Sequence, residues 1–282
     1  MNADRTTTTH PLRSCLRSIV GAVLALGLLT GGLTACGSDD AAASESGALT
    51  GLLRLEAGKA DGDTITGSWF KMVQPGGTVE DGPYMPNGDS PVQGGSVTLL
   101  SPGTEGGLRT GAFQSEPTPG FDNGNSLAGS IMKPTRFFGV GFGVSTNAVD
   151  PQTRNPVVAP TVQNDGGKLT ANLTAWAASW NNQEFNQGAP KVAAKAGPKV
   201  PGAEQAEQAW DYVSQKWLGQ SAAAPVQGPS ATGTYDSSAK TYELQWTSLI
   251  VGGPFNGFTG VWHLEGAFEP SAAAPSTAPP TS

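Results

Sequence analysis

The chain has 282 residues, of which 37% are hydrophobic and only 14% charged, with 39 glycines and 22 prolines. Gly and Pro destabilise helix interiors, so a protein dominated by long helices is excluded. The formal charge of −7 argues against a nucleic-acid partner, since such binding rests on Lys and Arg releasing counterions from phosphate.

Residues 1–35 read as an export signal. Arg5, Arg13 and Arg17 give a positive start, and residues 19–29 are an apolar run. That run is too short for a bilayer span, which needs about 20 apolar residues. Leu33-Thr34-Ala35-Cys36 follows and resembles the lipobox of bacterial lipoproteins. The resemblance implies cleavage before Cys36, a diacylglycerol on its sulfur and acylation (palmitate or a similar chain) of the new α-amino group. More than one acyl chain, at about 0.8 kcal/mol per buried CH₂, holds a protein stably on a membrane. The expected product has 247 residues and a charge of −9, held at the outer face of the cytoplasmic membrane by the lipid on Cys36.

Residues 36–48 lack apolar periodicity, carry Asp39, Asp40 and Glu45, and read as a flexible tether. Cys15 leaves with the signal and Cys36 is consumed by lipid, so the folded part has no thiol. Disulfides, cysteine–zinc sites and cysteine nucleophiles are thereby excluded.

Residues 49–269 read as a single all-β domain, an antiparallel sandwich or barrel, because period-two alternation recurs between Gly, Pro, Asn and Asp turns. The earlier strands fall at 52–56, 64–72, 95–100, 108–114, 157–163, 168–173 and 176–181. Over 137–144, Phe138, Val140, Phe142 and Val144 alternate with Gly139, Gly141 and Gly143. Such a bare face needs either a close neighbour, an aromatic side chain or a ligand, or a sharp bend of the sheet. One segment departs from this pattern. Ala206, Ala209, Trp210, Val213 and Trp217 have helical spacing, which predicts a short helical insertion over 203–218 on flexible arms 188–202 and 219–232.

The clearest strand is 241–247, with Tyr242, Leu244 and Trp246 on one face, returning from Tyr235 through a polar turn as a hairpin. Over 261–269, Trp262, Leu264, Gly266 and Phe268 oppose Val261, His263, Glu265, Ala267 and Glu269. Residues 270–282 read as a low-complexity, disordered tail. The block 246–268, with 99–108 and 176–188, resembles a group of secreted, β-rich bacterial proteins of unknown function. That resemblance implies an extracytoplasmic place and a β fold, and supplies no catalytic residue.

Chemistry is thinly marked. Gly124-Asn125-Ser126-Leu127-Ala128 lacks the last glycine of a nucleophile elbow, and His263 is the only histidine left after processing. Asp61, Asp63, Glu80, Asp81, Asp122, Asp150 and Asp165 fall in turns where Asp is common, so a glycosidase pair is not marked. Asp61-Gly62-Asp63 and Asp122-Asn123-Gly124-Asn125 offer oxygens without the twelve-residue calcium-loop pattern. No cofactor and no metal site are expected. Trp176, Trp180, Asn182 and Phe185, with neighbouring Asn181, Gln183, Asn186 and Gln187, mix rings with amides and fit either core packing or a platform for a glycan. The expected function is a non-catalytic binding or envelope-associated module. An envelope glycan or ester hydrolase and a purely structural surface protein remain open; the first requires acids, or Ser126 with His263, to converge in one pocket, and the second predicts no cavity.

Overall fold

The computed structural model describes residues 46–191, 209–211, 216–218 and 229–271; for 209–211 and 216–218 only the backbone is described. Their architecture is all-β, as the alternation predicts. Fourteen strands carry it: β1 (Gly51–Arg54), β2 (Trp69–Thr78), β3 (Gly107–Arg109), β4 (Thr135–Phe137), β5 (Val140–Thr146), β6 (Thr161–Asp165), β7 (Lys168–Asn172), β8 (Trp176–Trp180), β9 (Gln183–Asn186), β10 (Ala209–Asp211), β11 (Lys216–Leu218), β12 (Ala231–Asp236), β13 (Thr241–Leu249) and β14 (Thr259–Pro270). Among the described residues the single helical element is a 3₁₀ turn, Gln93–Gly95.

An eleven-stranded antiparallel sheet runs from Gly47–Ala48 through β6, β7, β12, β13, β14 and β1 to β3. β14 is its hub. One edge pairs with β13 from Thr259 to Ala267, while the other is divided between β2, opposite 259–263, and β1, opposite 268–270. Buried Ser68 fills the gap between those two partners: its Oγ donates to the carbonyl of Glu265 at 3.2 Å and accepts from the Glu265 N–H at 3.1 Å. A second sheet orders β4, β5, β8, β9, β10 and β11.

The two sheets meet through tryptophans. Trp246 and Trp262, paired across β13 and β14, stack with centroids 5.8 Å apart and planes 11° apart. Trp176 of β8 stands edge-on to both, at 5.2 and 5.3 Å. Gln187 satisfies the stacked pair: its backbone carbonyl accepts from Trp246 Nε1 at 2.9 Å and its Oε1 from Trp262 Nε1 at 3.3 Å. Burying three indoles in offset and edge-to-face geometry removes several hundred Å² of apolar surface from water by the usual area per ring. This contact ties the sheets together, beside that of Phe70 with Phe137 and Phe142.

In β13, Tyr242, Leu244, Trp246 and Ser248 are buried and alternate with exposed or half-buried neighbours, as period two requires. The hairpin from β12 is also as expected, with Asp236 Oδ1 accepting from the N–H groups of Ser238 and Ala239 at 2.8 and 2.9 Å.

Three expectations need correction. The stretch 137–144 is not one strand. Phe138 and Gly139, both at positive φ (50° and 75°), turn the chain between β4 and β5. The bare face of β5 is met by the segment 125–128 rather than by an aromatic ring: a Cβ on Gly143 would lie 2.3 Å from Ser126 Oγ and 2.6 Å from the Ala128 carbonyl.

The helical insertion is not seen where the backbone is described. Ala209–Asp211 and Lys216–Leu218 are antiparallel strands, with Trp210 opposite Trp217 and Glu184 of β9 opposite Trp210. The remainder of 203–218, like 1–45 with its signal, lipobox and Cys36, lies outside the described residues.

The ends of the tether and of the first arm belong to the fold. Gly47 and Ala48 pair with Asn164 and Gln163 of β6. Lys191 is 2% exposed, and its Nζ donates to the carbonyl of Asn186 at 2.7 Å.

Candidate ligand-binding cleft

The β8–β9 hairpin is joined by Asn181 and Asn182, both at positive φ (50° and 59°), the backbone state of a two-residue turn that matches strand twist. It places Glu184 of β9 opposite Ser179 of β8, on strands with neighbours on both sides, so Glu184 is 1% exposed. The loop after β3 comes down on this pair. Gln114 bridges to Thr146, with Thr146 N donating to the Gln114 carbonyl at 2.9 Å. Two residues on, the Glu116 N–H donates to Asn147 Oδ1 at 3.0 Å. Glu116 is thus pinned beside Glu184.

Above them opens a cleft of about 940 Å³, lined in part by Phe121, Asn123, Val149, Arg154 and Asn182, with Glu116 and Glu184 in its wall. The 147–156 turn supplies further lining, with Asn147, Val149 and Arg154 among it. There buried Asp150 Oδ1 accepts from the N–H groups of Gln152 and Thr153 at 3.2 and 2.6 Å, and Asp150 Oδ2 from Asn186 Nδ2.

The two carboxyls lie within hydrogen-bonding reach of each other. Burial first, then the neighbouring Glu184, pushes the Glu116 carboxyl up to about 10, with the Ser179 hydroxyl acting in the opposite sense. As two carboxylates they are acceptors only. Glu116 Oε1 and Oε2 and Glu184 Oε2 are shut off from solvent and receive no hydrogen bond. The Ser179 hydroxyl also meets Ser126 Oγ at 2.6 Å, where either oxygen can donate.

Of the residues anticipated as a ligand platform, only Asn182 lines this cleft. Trp176, Trp180 and Phe185 are 1, 9 and 6% exposed and belong to the core, so they form no surface platform. Strand alternation already put both tryptophans on one face, and that face is the inner one. Trp180 and Phe185 border a small apolar void of about 40 Å³ between the sheets.

Ser126 and His263 are not brought together. Ser126 is buried against Ser179, whereas His263 bonds Glu265 Oε2 at 3.1 Å and stacks on Trp69. Asp122 to Asn125 form a plain hairpin turn, with Asn123 at φ 48° and Gly124 at φ 84°. Asp61 and Asp63 are exposed in the turn between two short strands, Lys59–Asp61 and Thr64–Thr66.

The two acids that do converge, Glu116 and Glu184, escaped the sequence reading. Glu184 carried a signal: it sits inside a strand beside Phe185 rather than in a turn. Glu116, in Ser115-Glu116-Pro117, carried none.

No family model matches the chain, and neither a curated protein nor a solved structure matches it.

Proposed function

We propose that this protein is a lipid-anchored, extracytoplasmic β domain that binds a polar, ring-bearing ligand such as an envelope glycan, without catalysis, in the cleft above Glu116 and Glu184. The observation that supports binding is the cleft. Its volume of about 940 Å³ lies at the upper end of the roughly 300–1,000 Å³ usual for small-ligand sites. Its lining combines apolar surface from Phe121 and Val149 with side-chain amides and a guanidinium, the mixture that covers a sugar face and orients its hydroxyls. The membrane attachment rests on the order of charge, apolar run, small residues and Cys36 in the sequence.

Convergence of two acids in one cleft favours glycan hydrolysis as a second reading. Two features weigh against it. Glycosidase carboxyls stand about 5–5.5 Å apart or more, to admit a sugar carbon or a water, whereas these are in mutual hydrogen-bonding reach. Their oxygens are also sealed from the cleft's solvent.

The test titrates N-acetylglucosamine oligomers into the full chain, extracted in detergent, by calorimetry with reducing-end analysis of the products. Saturable heat that is lost in Phe121→Ala supports binding. Absence of heat removes the glycan reading, and accumulation of new reducing ends replaces it with hydrolysis. For the anchor, Cys36→Ser should leave the leader uncut and lipid labelling absent. Unchanged processing and membrane extraction would overturn the attachment.

A further inference from the structure

We propose that one end of the domain lies in the membrane interface, with Phe113, Val149 and Val158 set among the headgroups of the bilayer that holds the lipid on Cys36. The proposal rests on the lipid anchor and holds whatever the cleft binds.

These three side chains are left in water by the fold, Phe113 at 36%, Val149 at 46% and Val158 at 56% exposure. Apolar residues exposed singly need no explanation, but these stand on loops laced edge to edge. The Gly111 N–H donates to the Pro160 carbonyl at 2.7 Å and the Val157 N–H to the Ala148 carbonyl at 3.0 Å. Bridges join Gln114 to Thr146 and Val149 to Pro156. Ala148 and Pro156 are exposed on the same loops.

The charge pattern selects this end. Segments 110–120 and 145–160 hold three charged residues, Glu116, Asp150 and Arg154. Asp150 is buried and the Glu116 carboxyl is shut off from solvent, so Arg154 is the exposed charge of these loops. Turns elsewhere carry exposed acids, among them Asp63, Asp81, Asp122 and Asp165. A chain with a formal charge of −7 is repelled by an anionic leaflet, so it approaches lipid best where its exposed acids are missing. Apolar side chains beside a basic one are the mixture that sits about 5–10 Å deep at the boundary of headgroups and acyl chains.

The chain that precedes the fold lets this end reach the lipid. Ten positions separate Cys36 from Ser46, at most about 36 Å when extended. The described chain enters the sheet at Gly47, paired with Asn164 of β6. Val158 precedes Asn164 by six positions, at most about 22 Å of chain. The tether therefore exceeds the distance it has to cover.

Once Cys36 is lipidated the processed chain has no free thiol, so Phe113→Cys, Val149→Cys and Val158→Cys each take a single nitrobenzoxadiazole label. The full chain, extracted from membranes, is diluted from detergent onto preformed vesicles of phosphatidylethanolamine and phosphatidylglycerol, and emission and iodide quenching are read. The expected result is a blue shift and loss of quenching at all three positions, with Asp63→Cys and Phe138→Cys still quenched. Phe113→Asp combined with Val158→Asp should restore quenching at Val149→Cys while the chain stays on the vesicles. Full quenching at the three positions, or shielding of Phe138→Cys in their place, would overturn the interface and leave the anchor standing. Uptake of label by the unsubstituted chain would reveal an unlipidated thiol and remove the anchor, and the interface with it.

Discussion

The indole of Trp69 lies parallel to the imidazole of His263, with ring centroids 4.9 Å apart and planes 4° apart. The two residues pair directly across β2 and β14. Stacked rings of this kind add about 0.5–1.5 kcal/mol beyond the area they bury. A double-mutant cycle with Trp69→Ala and His263→Ala, read by urea unfolding, should return a coupling energy of about that size. A value near zero would show the rings to be neighbours without interaction.

Trp262 is fully buried and touches Phe70, Phe142, Trp176 and Trp246. Truncating it removes part of the tie between the sheets as well as its own burial. Trp262→Ala should cost about 3–5 kcal/mol by urea denaturation, the range for large aromatic deletions in cores. A cost below 1 kcal/mol would be incompatible with this packing.

Gly143 is required by what lies against it. A methyl group there would meet the Ser126 hydroxyl and the Ala128 carbonyl at 2.3 and 2.6 Å. Overpacking against backbone costs typically about 1–3 kcal/mol. Gly143→Ala should lower the melting temperature accordingly, while Gly88→Ala, with nothing within 4 Å, should not. Equal effects of the two substitutions would contradict the close approach of segment 125–128.

Glu116 sets a pH dependence of stability. Its folded pKa is raised from 4.5 to about 10, first by burial and then by Glu184, so the folded chain keeps a proton that the unfolded chain has released. Its stabilising contribution is complete below about pH 4.5 and declines as pH climbs toward about 10. Melting temperatures should therefore fall across that window, and Glu116→Gln should flatten the fall. A stability that rises from pH 5 to 9 in both proteins would contradict the burial of this carboxyl.

The β13 strand and its hairpin were legible in sequence because one face is buried and the other wet, the condition under which period two records burial directly. β14 was only half legible. Its Trp262, Leu264 and Phe268 lie inward as the alternation has it, yet Val261 and His263 are buried too, because other parts of the fold cover the second face. Local sequence carries no record of such a cover. Trp210 and Trp217 misled for a different reason: residues seven apart complete two helical turns, and they also stand opposite each other across a hairpin. The platform residues Trp176, Trp180 and Phe185 have the composition of a sugar site and the position of a core, and composition alone does not distinguish the two. Glu116 and Glu184 are 68 positions apart in the numbering, so only the fold makes them a pair.

The order of synthesis gives the place of β14 a further meaning. The strand that serves three partners is the last of the described strands in chain order, so the strands it joins wait without their common neighbour until residue 270 has been made. Assembly of the larger sheet is accordingly late and nonlocal, and such topologies fold slowly compared with those built from near neighbours. A nascent chain arrested before Thr259 should remain sensitive to protease over its whole length, rather than acquiring resistance strand by strand.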